Sequence, residues 1–337
     1  MKNCPKCNAQ VKDEAKFCNK CGFNFSQINT LILVQTFCRD CGAEVPNDSI
    51  FCTECGCNLE EALRIKKEEE ERIKKSFRIE NGVLLKYLGK ESIVKIPNEV
   101  TTIGECAFIG CHTLQSIEIP NSVTCINENA FAACTNLTNI QIPNSVTHIN
   151  EYAFNGCKSL KIVEIPSSVI ELNTLAFAYC ENLESIIVHQ ENNKYCSLDG
   201  VVFSKDGTTL LMYPVGRKVQ SYKIPDTVSK IGSYAFYKCE NLRNISLPHS
   251  IRIIEVCAFL NCRLLGNVKL PEGLTRIGTY AFCGCTNFTN IELPNSITSI
   301  ETYAFARCEY LKTIKIPRTC ECERLWIVDS PAEIIYY

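Results

Sequence analysis

The sequence lacks most of the motifs on which enzymes and membrane proteins depend. Only four histidines occur among the 337 residues, and none belongs to a metal-binding or nucleophile motif. A Gly-x-Ser-x-Gly elbow, a phosphate-binding loop and a dinucleotide fingerprint are all missing from the sequence. No stretch approaches the roughly 20 apolar residues that a membrane-spanning helix needs. We therefore expect neither an enzyme nor an integral membrane protein.

An excess of charge of either sign is also missing. The chain has 35 Lys and Arg against 37 Asp and Glu, which gives a formal net charge of −2. Such a balance provides no general attraction to nucleic acid or to anionic membranes. Any partner must therefore be recognised by local features of the surface.

Features of a signal peptide are missing as well, because the first ten residues, MKNCPKCNAQ, contain no apolar core. Cysteine, by contrast, is abundant at 24 residues, which in a small secreted protein would indicate disulfides. The first eight cysteines have the spacing of zinc ligands, and zinc ligation requires thiolates. We therefore expect reduced cysteines and a cytoplasmic location.

These eight cysteines form two short modules, each with two Cys-x2-Cys pairs and a phenylalanine before the third cysteine. A segment of about 25 residues is too small for a hydrophobic core of its own, so a metal is the natural substitute. Four thiolates suit tetrahedral zinc with Zn–S distances of about 2.3 Å. The pattern predicts two structural zinc ions, with redox-active or disulfide-paired cysteines and iron as alternatives. The predicted ligands are Cys4, Cys7, Cys18, Cys21, Cys38, Cys41, Cys52 and Cys55.

Residues 59–76 form a highly charged segment, LEEALRIKKEEEERIKKS, which predicts a solvated helix. Pairs such as Glu60/Arg64 and Glu71/Lys75 are spaced i, i+4 with the acidic residue first, which is the favourable order. We interpret the segment as a semi-rigid spacer. The alternative is a short coiled coil that dimerises the protein, although two sustained heptads are hard to find.

Eight copies of a 23-residue unit fill most of the remaining chain. Each copy contains the tetrad Ala-Phe-x-x-Cys, and a fixed period in this range is typical of a leucine-rich-repeat solenoid. Each copy also contains a short predicted strand, Leu-x-x-Ile-x-Ile, with alternate residues inward. A proline without an N–H group closes the strand and turns the chain. The tetrads begin at Ala107, Ala130, Ala153, Ala176, Ala235, Ala258, Ala281 and Ala304.

The repeated apolar side chains predict a core made of columns that run along the stack, because one coil cannot bury them alone. The tetrad phenylalanines should lie inside. The tetrad cysteines should pack as small hydrophobic residues with a weak S–H donor. Disulfide or metal roles for this cysteine column are the alternatives.

Two irregular segments interrupt the repeats. Between the fourth and fifth tetrads, apolar runs on either side of Asp206-Gly207 predict a hairpin, and the start of the domain around Asn81-Gly82 resembles it. The last residues should cover the open end of the solenoid, since unpaired edges are prone to aggregation. The predicted organisation is zinc ribbon 1 (1–25), zinc ribbon 2 (36–58), charged linker (59–76) and solenoid (77–337), with an irregularity at 189–223 and a cap at 318–337.

The pattern I-P-x-S-V-x-x-I-x-x-x-A-F-x-x-C-x-x-L-x-x-I resembles the BspA-like class of leucine-rich repeats over about 77–317, including the DGVVFSKDG hairpin. The N-terminal cysteines resemble a bacterial tandem zinc ribbon. Members of the BspA-like class are often surface proteins of bacteria or protists that mediate adhesion. The resemblance therefore implies adhesion as one possible function, although this chain departs from the class in its metal modules and its missing export signal.

The sequence predicts a non-catalytic, zinc-containing scaffold whose sheet face binds a protein partner. Nucleic-acid binding through the ribbons is an alternative, but residues 1–57 contain as many acidic as basic side chains, and phosphate neutralisation needs a basic excess. The candidate partner-binding residues on the outward face of the predicted strands are Glu118, Gln141, Glu164, Ser246, Lys269, Glu292 and Lys315.

Overall fold

The chain folds into two compact units, 1–76 and 77–337. The structure is a computed structural model that describes residues 2–3, 10–11, 38, 41, 43–45, 49–60, 64, 68, 71–72, 75–322 and 324–337. In the first unit, an antiparallel pair joins Lys2–Asn3 to Gln10–Val11. A single antiparallel bridge joins Phe51 to Asn58.

The charged segment 59–76 lies largely outside the described residues, so the predicted helix stays a prediction. Two of its i, i+4 ion pairs can be described. The predicted pair of Glu71 and Lys75 has an N–O distance of 3.8 Å, and Arg64 and Glu68 form a second pair at 3.8 Å. No helix in the described part of the chain is long and apolar enough to cross a bilayer.

The second unit is a parallel β-solenoid whose coils have three sides. The first side, called the sheet face here, carries the strands that the sequence predicts. They form four small parallel sheets in which partners in neighbouring regular coils are 23 residues apart, as in Ile117↔Ile140. The strands are Ile93–Lys95, Ser116–Glu118 and Asn139–Gln141; Ile162–Ile165 and Ser185–Val188; Ser221–Lys223 and Asn244–Ser246; and Asn290–Glu292, Thr313–Ile316 and Glu333–Tyr336.

The second side, called the short-strand ladder, was not predicted as strand. In most coils it consists of two residues. Six strands form one sheet, at Phe77–Glu80, Val83–Tyr87, Thr102–Ile103, Cys125–Ile126, His148–Ile149 and Glu171–Leu172. Eight form another, at Tyr195–Leu198, Val201–Ser204, Thr209–Met212, Lys230–Ile231, Ile253–Ile254, Arg276–Ile277, Ser299–Ile300 and Glu321–Cys322.

Each of these two sheets begins with an antiparallel hairpin. The turn residues Asn81 and Gly82 have φ angles of 51° and 77°, and Asp199 and Gly200 have 50° and 76°. Two successive positive φ angles define the turn that matches the twist of a tight hairpin. The predicted hairpin around Asp206-Gly207 is also present, between Val201–Ser204 and Thr209–Met212.

The third side, called the turn wall, is formed by the Ala-Phe-x-x-Cys segments. Its amides alternate between two kinds of partner. The N–H groups of Phe108 and Gly110 donate to carbonyls of the next coil, at 2.7 and 2.8 Å. The N–H group of Ile109 between them donates within its own coil, at 3.2 Å. Stacking therefore satisfies backbone groups that a single coil would leave unpaired.

The tetrad phenylalanines stack inside the solenoid as predicted. Neighbouring rings are nearly parallel, with centroids 5.2 Å apart for Phe131 and Phe154 and 5.0 Å apart for Phe259 and Phe282. At the C-terminal end, Trp326 closes the column edge-on against Phe305 at 5.9 Å. Trp326 lies in a short 3-10 helix, Arg324–Ile327, and is buried.

One predicted strand is wrong. The residues around Leu265, Val268 and Leu270 bury these side chains but form no strand. The side-chain oxygen of Asn267 accepts hydrogen bonds from the backbone N–H groups of Thr289 and Asn290, at 2.8 and 3.2 Å. An amide side chain thus replaces the strand carbonyl that would otherwise pair with the next coil.

The tetrad cysteines are buried free thiols, apart from the half-buried Cys111. Most of them donate an S–H hydrogen bond to the phenylalanine carbonyl of the preceding coil. The distance is 3.1 Å from Cys180 to Phe154 and 2.9 Å from Cys262 to Phe236. Burial raises the pKa of both cysteines from 9.0 to about 12. These thiols are therefore neutral donors in the folded protein.

The raised pKa values predict a loss of stability in alkali. The unfolded chain loses the Cys262 proton near pH 9, whereas the folded chain keeps it until about pH 12. The contribution of this thiol to the free energy of unfolding is complete below pH 9 and is lost as the pH rises toward 12. One such group adds up to about 1.4 kcal/mol per pH unit to the slope. Urea unfolding across this range should show a shallower fall for Cys262→Ala than for the wild type. Equal slopes would contradict the assignment.

Candidate metal centre and binding surfaces

Four cysteines of the second predicted ribbon lie together. The Sγ atoms of Cys38, Cys41, Cys52 and Cys55 are all within 4.8 Å of one another. Sγ–Sγ distances are 3.5 Å for Cys38–Cys55 and 3.6 Å for Cys41–Cys52. Tetrahedral Zn–S bonds of about 2.3 Å place sulfurs about 3.8 Å apart, so the cluster fits a zinc ion after a small expansion.

Short loops hold the cluster in place. The N–H group of Cys38 donates to the carbonyl of Ala43 at 2.7 Å, and the N–H group of Gly56 donates to the carbonyl of Cys52 at 2.8 Å. Gly56 has φ 74°, a conformation in which other residues are strained. The buried core of this module consists of Cys38, Val45 and Cys52. Because so small a core stabilises little, metal ligation would provide most of the stability of the module.

The four sulfurs would complete a tetrahedral shell and leave no position for substrate water, which is the arrangement of a structural site. Within the described residues, no second group of three or more potential ligands lies close enough to hold a metal. The predicted ligands of the first ribbon, Cys4, Cys7, Cys18 and Cys21, lie outside the described residues, so that site stays a prediction.

A fifth thiol lies beside this cluster, and the sequence analysis missed its importance. The Sγ atom of Cys57 is 3.1 Å from that of Cys38, closer than any ligand pair given above. Cys57 is half-buried and packs against the small core. The signal was present in the sequence, since Cys57 directly follows the Cys55-Gly56 turn.

The seven candidate residues of the sheet face are all exposed. They are spread along the solenoid and are not gathered into one site. Two take part in ion pairs with neighbouring coils: Glu118 with Lys95 at 2.7 Å, and Glu292 with Lys315, itself a candidate, at 3.5 Å. Exposed pairs of this kind contribute about 0–1 kcal/mol each. Charge on the sheet face is therefore mixed and partly neutralised.

The sheet face also presents two exposed isoleucines on adjacent strands. Ile162 is 53% exposed and Ile187 is 44% exposed. Their strands, Ile162–Ile165 and Ser185–Val188, pair in parallel, so the two side chains project from neighbouring coils. Apolar side chains within a polar surface are typical anchors of a protein interface.

The turn wall is interrupted between the fourth tetrad and the following irregular coil. In each of the other tetrads, the N–H groups of the phenylalanine and of the residue before the cysteine donate to the next coil. Among the described residues, the corresponding N–H groups of Phe177 and Tyr179 have no hydrogen-bond partner. The next coil has Tyr213-Pro214 in place of a tetrad and is too short here to supply the carbonyls.

Aromatic side chains surround this interruption. The hydroxyls of Tyr179 and Tyr237 are 2.8 Å apart and span the gap. The Nζ atom of Lys238 lies 4.4 Å from the centre of the Tyr179 ring, a cation–π contact. Inside, the hydroxyl of Tyr213 is buried without a hydrogen-bond partner, and burial raises its pKa to about 12. The interruption is thus a small aromatic cleft with unpaired polar groups.

Comparison with known families agrees with this architecture. Residues 85–205 and 215–323 match the family described as BspA type Leucine rich repeat region, in six copies. Residues 4–56 match the family described as Double zinc ribbon. No curated protein matches the chain.

Solved structures of bacterial leucine-rich repeat proteins share the fold. The pneumococcal vaccine antigen PcpA is 23% identical with a TM-score of 0.59, covering 72% of this chain and 68% of that one. A leucine-rich cell surface protein from Faecalibacterium prausnitzii is 23% identical with a TM-score of 0.52, covering 77% and 92%. A leucine-rich repeat protein from Eubacterium ventriosum is 20% identical with a TM-score of 0.57, covering 74% and 88%.

The interrupted turn wall predicts a local difference in hydrogen exchange. The amides of Phe177 and Tyr179 should exchange about 100-fold or more faster than those of Phe154 and Gly156, which occupy the same positions one coil earlier and are hydrogen-bonded. Hydrogen exchange with residue-level resolution on the full-length protein tests this. Equal protection at the two pairs would show that the wall is closed in solution.

Proposed function

Because this chain belongs to the BspA type leucine-rich repeat family and carries a double zinc ribbon, we propose that it is a non-catalytic interaction scaffold. Its sheet face binds a partner protein, and its ribbons contact a second macromolecule. A solenoid of stacked coils provides a long, continuous surface, which is the usual binding element of such proteins.

The observation that carries the proposal is the sheet face itself. Its outward row combines exposed polar residues, from Glu118 to Lys315, with the exposed pair Ile162 and Ile187. Interfaces between proteins commonly place a few apolar side chains at the centre and polar side chains at the rim. The polar rim has both signs of charge, which favours a protein partner over a polyanion.

The zinc ions belong to the same proposal. Each ribbon holds one structural ion, with Cys4, Cys7, Cys18 and Cys21 in the first and Cys38, Cys41, Cys52 and Cys55 in the second. The ions stabilise the ribbons and do not take part in catalysis. The equal numbers of acidic and basic residues in 1–57 disfavour nucleic acid as the partner of the ribbons.

Adhesion at a cell surface is the second candidate function, and it is favoured by the name of the Faecalibacterium relative, a cell surface protein. The cysteines favour the first candidate. The column thiols donate hydrogen bonds as S–H groups, and the ribbon cysteines must be thiolates to hold zinc. Both states need a reducing environment, which supports a cytoplasmic location.

The scaffold proposal predicts a partner that depends on the sheet face. Full-length wild type, the double variant Ile162→Asp/Ile187→Asp and a turn-wall control, Arg307→Glu, would be expressed in the native cell and purified by affinity. All three changes affect exposed side chains, so folding should be unaffected. A protein recovered with the wild type and the control should be depleted at least about tenfold with the double variant.

Loss of that protein with Arg307→Glu but not with the isoleucine variant would place the interface on the turn wall and contradict the proposal. Circular dichroism and the thermal midpoint of each variant show whether the fold is intact. A repeat at high salt separates the apolar contribution from that of the charged rim.

The metal content gives an independent test. Elemental analysis of the reduced full-length protein should find two zinc ions per chain. Cys52→Ser should remove one, because a serine hydroxyl is a poor substitute for a thiolate ligand. Cys106→Ser, which changes a cysteine of the solenoid, should remove none. Zinc content that does not respond to Cys52→Ser would exclude this cysteine as a ligand.

A further inference from the structure

We propose that Cys57 makes the second ribbon a site of thiol oxidation, in which a hydroperoxide joins Cys57 to the metal ligand Cys38. The inference uses the metal shell of the second ribbon and is independent of partner binding by the sheet face.

The position of Cys57 sets it apart from the ligands. Its Sγ atom is 3.1 Å from that of Cys38, whereas two sulfurs bound to one tetrahedral zinc ion are about 3.8 Å apart. Cys57 also falls outside the group of four whose sulfurs are all within 4.8 Å of one another. Cys57 therefore lies against one ligand from outside the shell and is not a fifth ligand.

The surrounding backbone keeps Cys57 in this position. The N–H group of Cys52 donates to the carbonyl of Cys57 at 3.0 Å, which ties the fifth cysteine to the loop that carries two ligands. A disulfide needs an S–S distance of about 2.05 Å. Cys38 and Cys57 are thus about 1 Å from bonding distance, and a small side-chain movement is enough to join them.

Comparison of the two modules within the chain shows that this thiol is not required for metal binding as such. Both modules have the pattern Cys-x2-Cys, ten residues, Cys-x2-Cys-Gly. The residue after the glycine is Phe23 in the first module and Cys57 in the second. One ribbon of the pair therefore carries the extra thiol, and the other provides a natural reference without it.

The chemistry balances with a hydroperoxide as the oxidant. The Cys38 sulfur attacks the O–O bond, which gives a sulfenic acid on Cys38 and releases the alcohol, or water from hydrogen peroxide. The Cys57 sulfur then attacks the Cys38 sulfur, displaces the hydroxyl group as water and forms the disulfide. Two thiols are oxidised and one peroxide bond is reduced. The disulfide removes one of the four thiolates from the shell, so the site loses affinity for its metal.

The cysteines of the solenoid column are poor competitors in this reaction. Cys180 and Cys262 are buried, and their S–H groups donate to backbone carbonyls. Thiolates, not thiols, react with peroxides, and a buried thiol is inert. Oxidation should therefore be selective for the ribbon.

The test uses zinc-loaded, full-length protein, hydrogen peroxide as the probe and a chromophoric chelator to follow zinc release. Wild type would be compared with Cys57→Ser and with Cys57→Phe, which reproduces the residue of the first module. Both variants should bind as much zinc as the wild type before oxidation. Zinc release from the second ribbon should be at least about tenfold slower in the variants. Peptide mass spectrometry of the oxidised wild type should find Cys38 joined to Cys57, and reduction with dithiothreitol should restore zinc binding.

Three results would overturn the proposal. Equal rates of release in wild type and variants would show that Cys57 takes no part. A disulfide from Cys38 to Cys41 or Cys55 in place of Cys57 would assign the wrong pair. Loss of zinc from Cys57→Ser before any oxidant is added would make Cys57 a ligand. Disulfide mapping also decides the question if the second ribbon holds no zinc, so this outcome and the failure of the zinc proposal are distinguishable.

Discussion

The contact of each coil with its neighbours is the constraint on which the solenoid depends. The backbone hydrogen bonds and the aromatic stacking share one spacing. Strands in a sheet lie about 4.8 Å apart, and the tetrad rings stack at similar distances, such as 4.8 Å for Phe236 and Phe259. Since both repeat at the same interval, every coil that fits one ladder also fits the other. A lone coil would expose its phenylalanine and leave its turn-wall amides unpaired.

The same constraint explains an unusual backbone. The residue before each tetrad alanine is in the left-handed region in most coils, even where it is a tyrosine, as in Tyr234 at φ 59° and Tyr280 at φ 56°. Such a residue is strained by itself. The strain is tolerated because the amides on either side are fixed by the neighbouring coils, as in the bond from the Tyr234 N–H group to the Val256 carbonyl at 3.1 Å. Where the neighbouring coil is too short, at Phe177 and Tyr179, the wall opens into the aromatic cleft.

Much of the fold follows from the sequence because repetition identifies the buried positions. Ala107, Phe108 and their equivalents return every 23 residues, and their burial was predicted for that reason. The short-strand ladder was missed because two residues such as Thr102–Ile103 are too few to show a period. The strand predicted at Leu265–Leu270 is wrong because burial of those side chains does not specify a backbone hydrogen bond, and Asn267 replaces it. The ribbon spacing predicted the cluster at Cys38 and Cys52, but spacing alone could not place Cys57 against a ligand.

Cysteine serves opposite physical purposes in the two units. In the solenoid, burial keeps thiols such as Cys262 protonated, and each proton is used in a hydrogen bond to the backbone of the preceding coil. In the ribbon, four thiols would have to lose their protons to hold a metal, because the module has only Cys38, Val45 and Cys52 as a core. A thiolate is the reactive form of cysteine, and a buried S–H group is not. A module that replaces a hydrophobic core with thiolates therefore becomes sensitive to oxidants, whereas the solenoid, whose thiols pack as small apolar groups, does not.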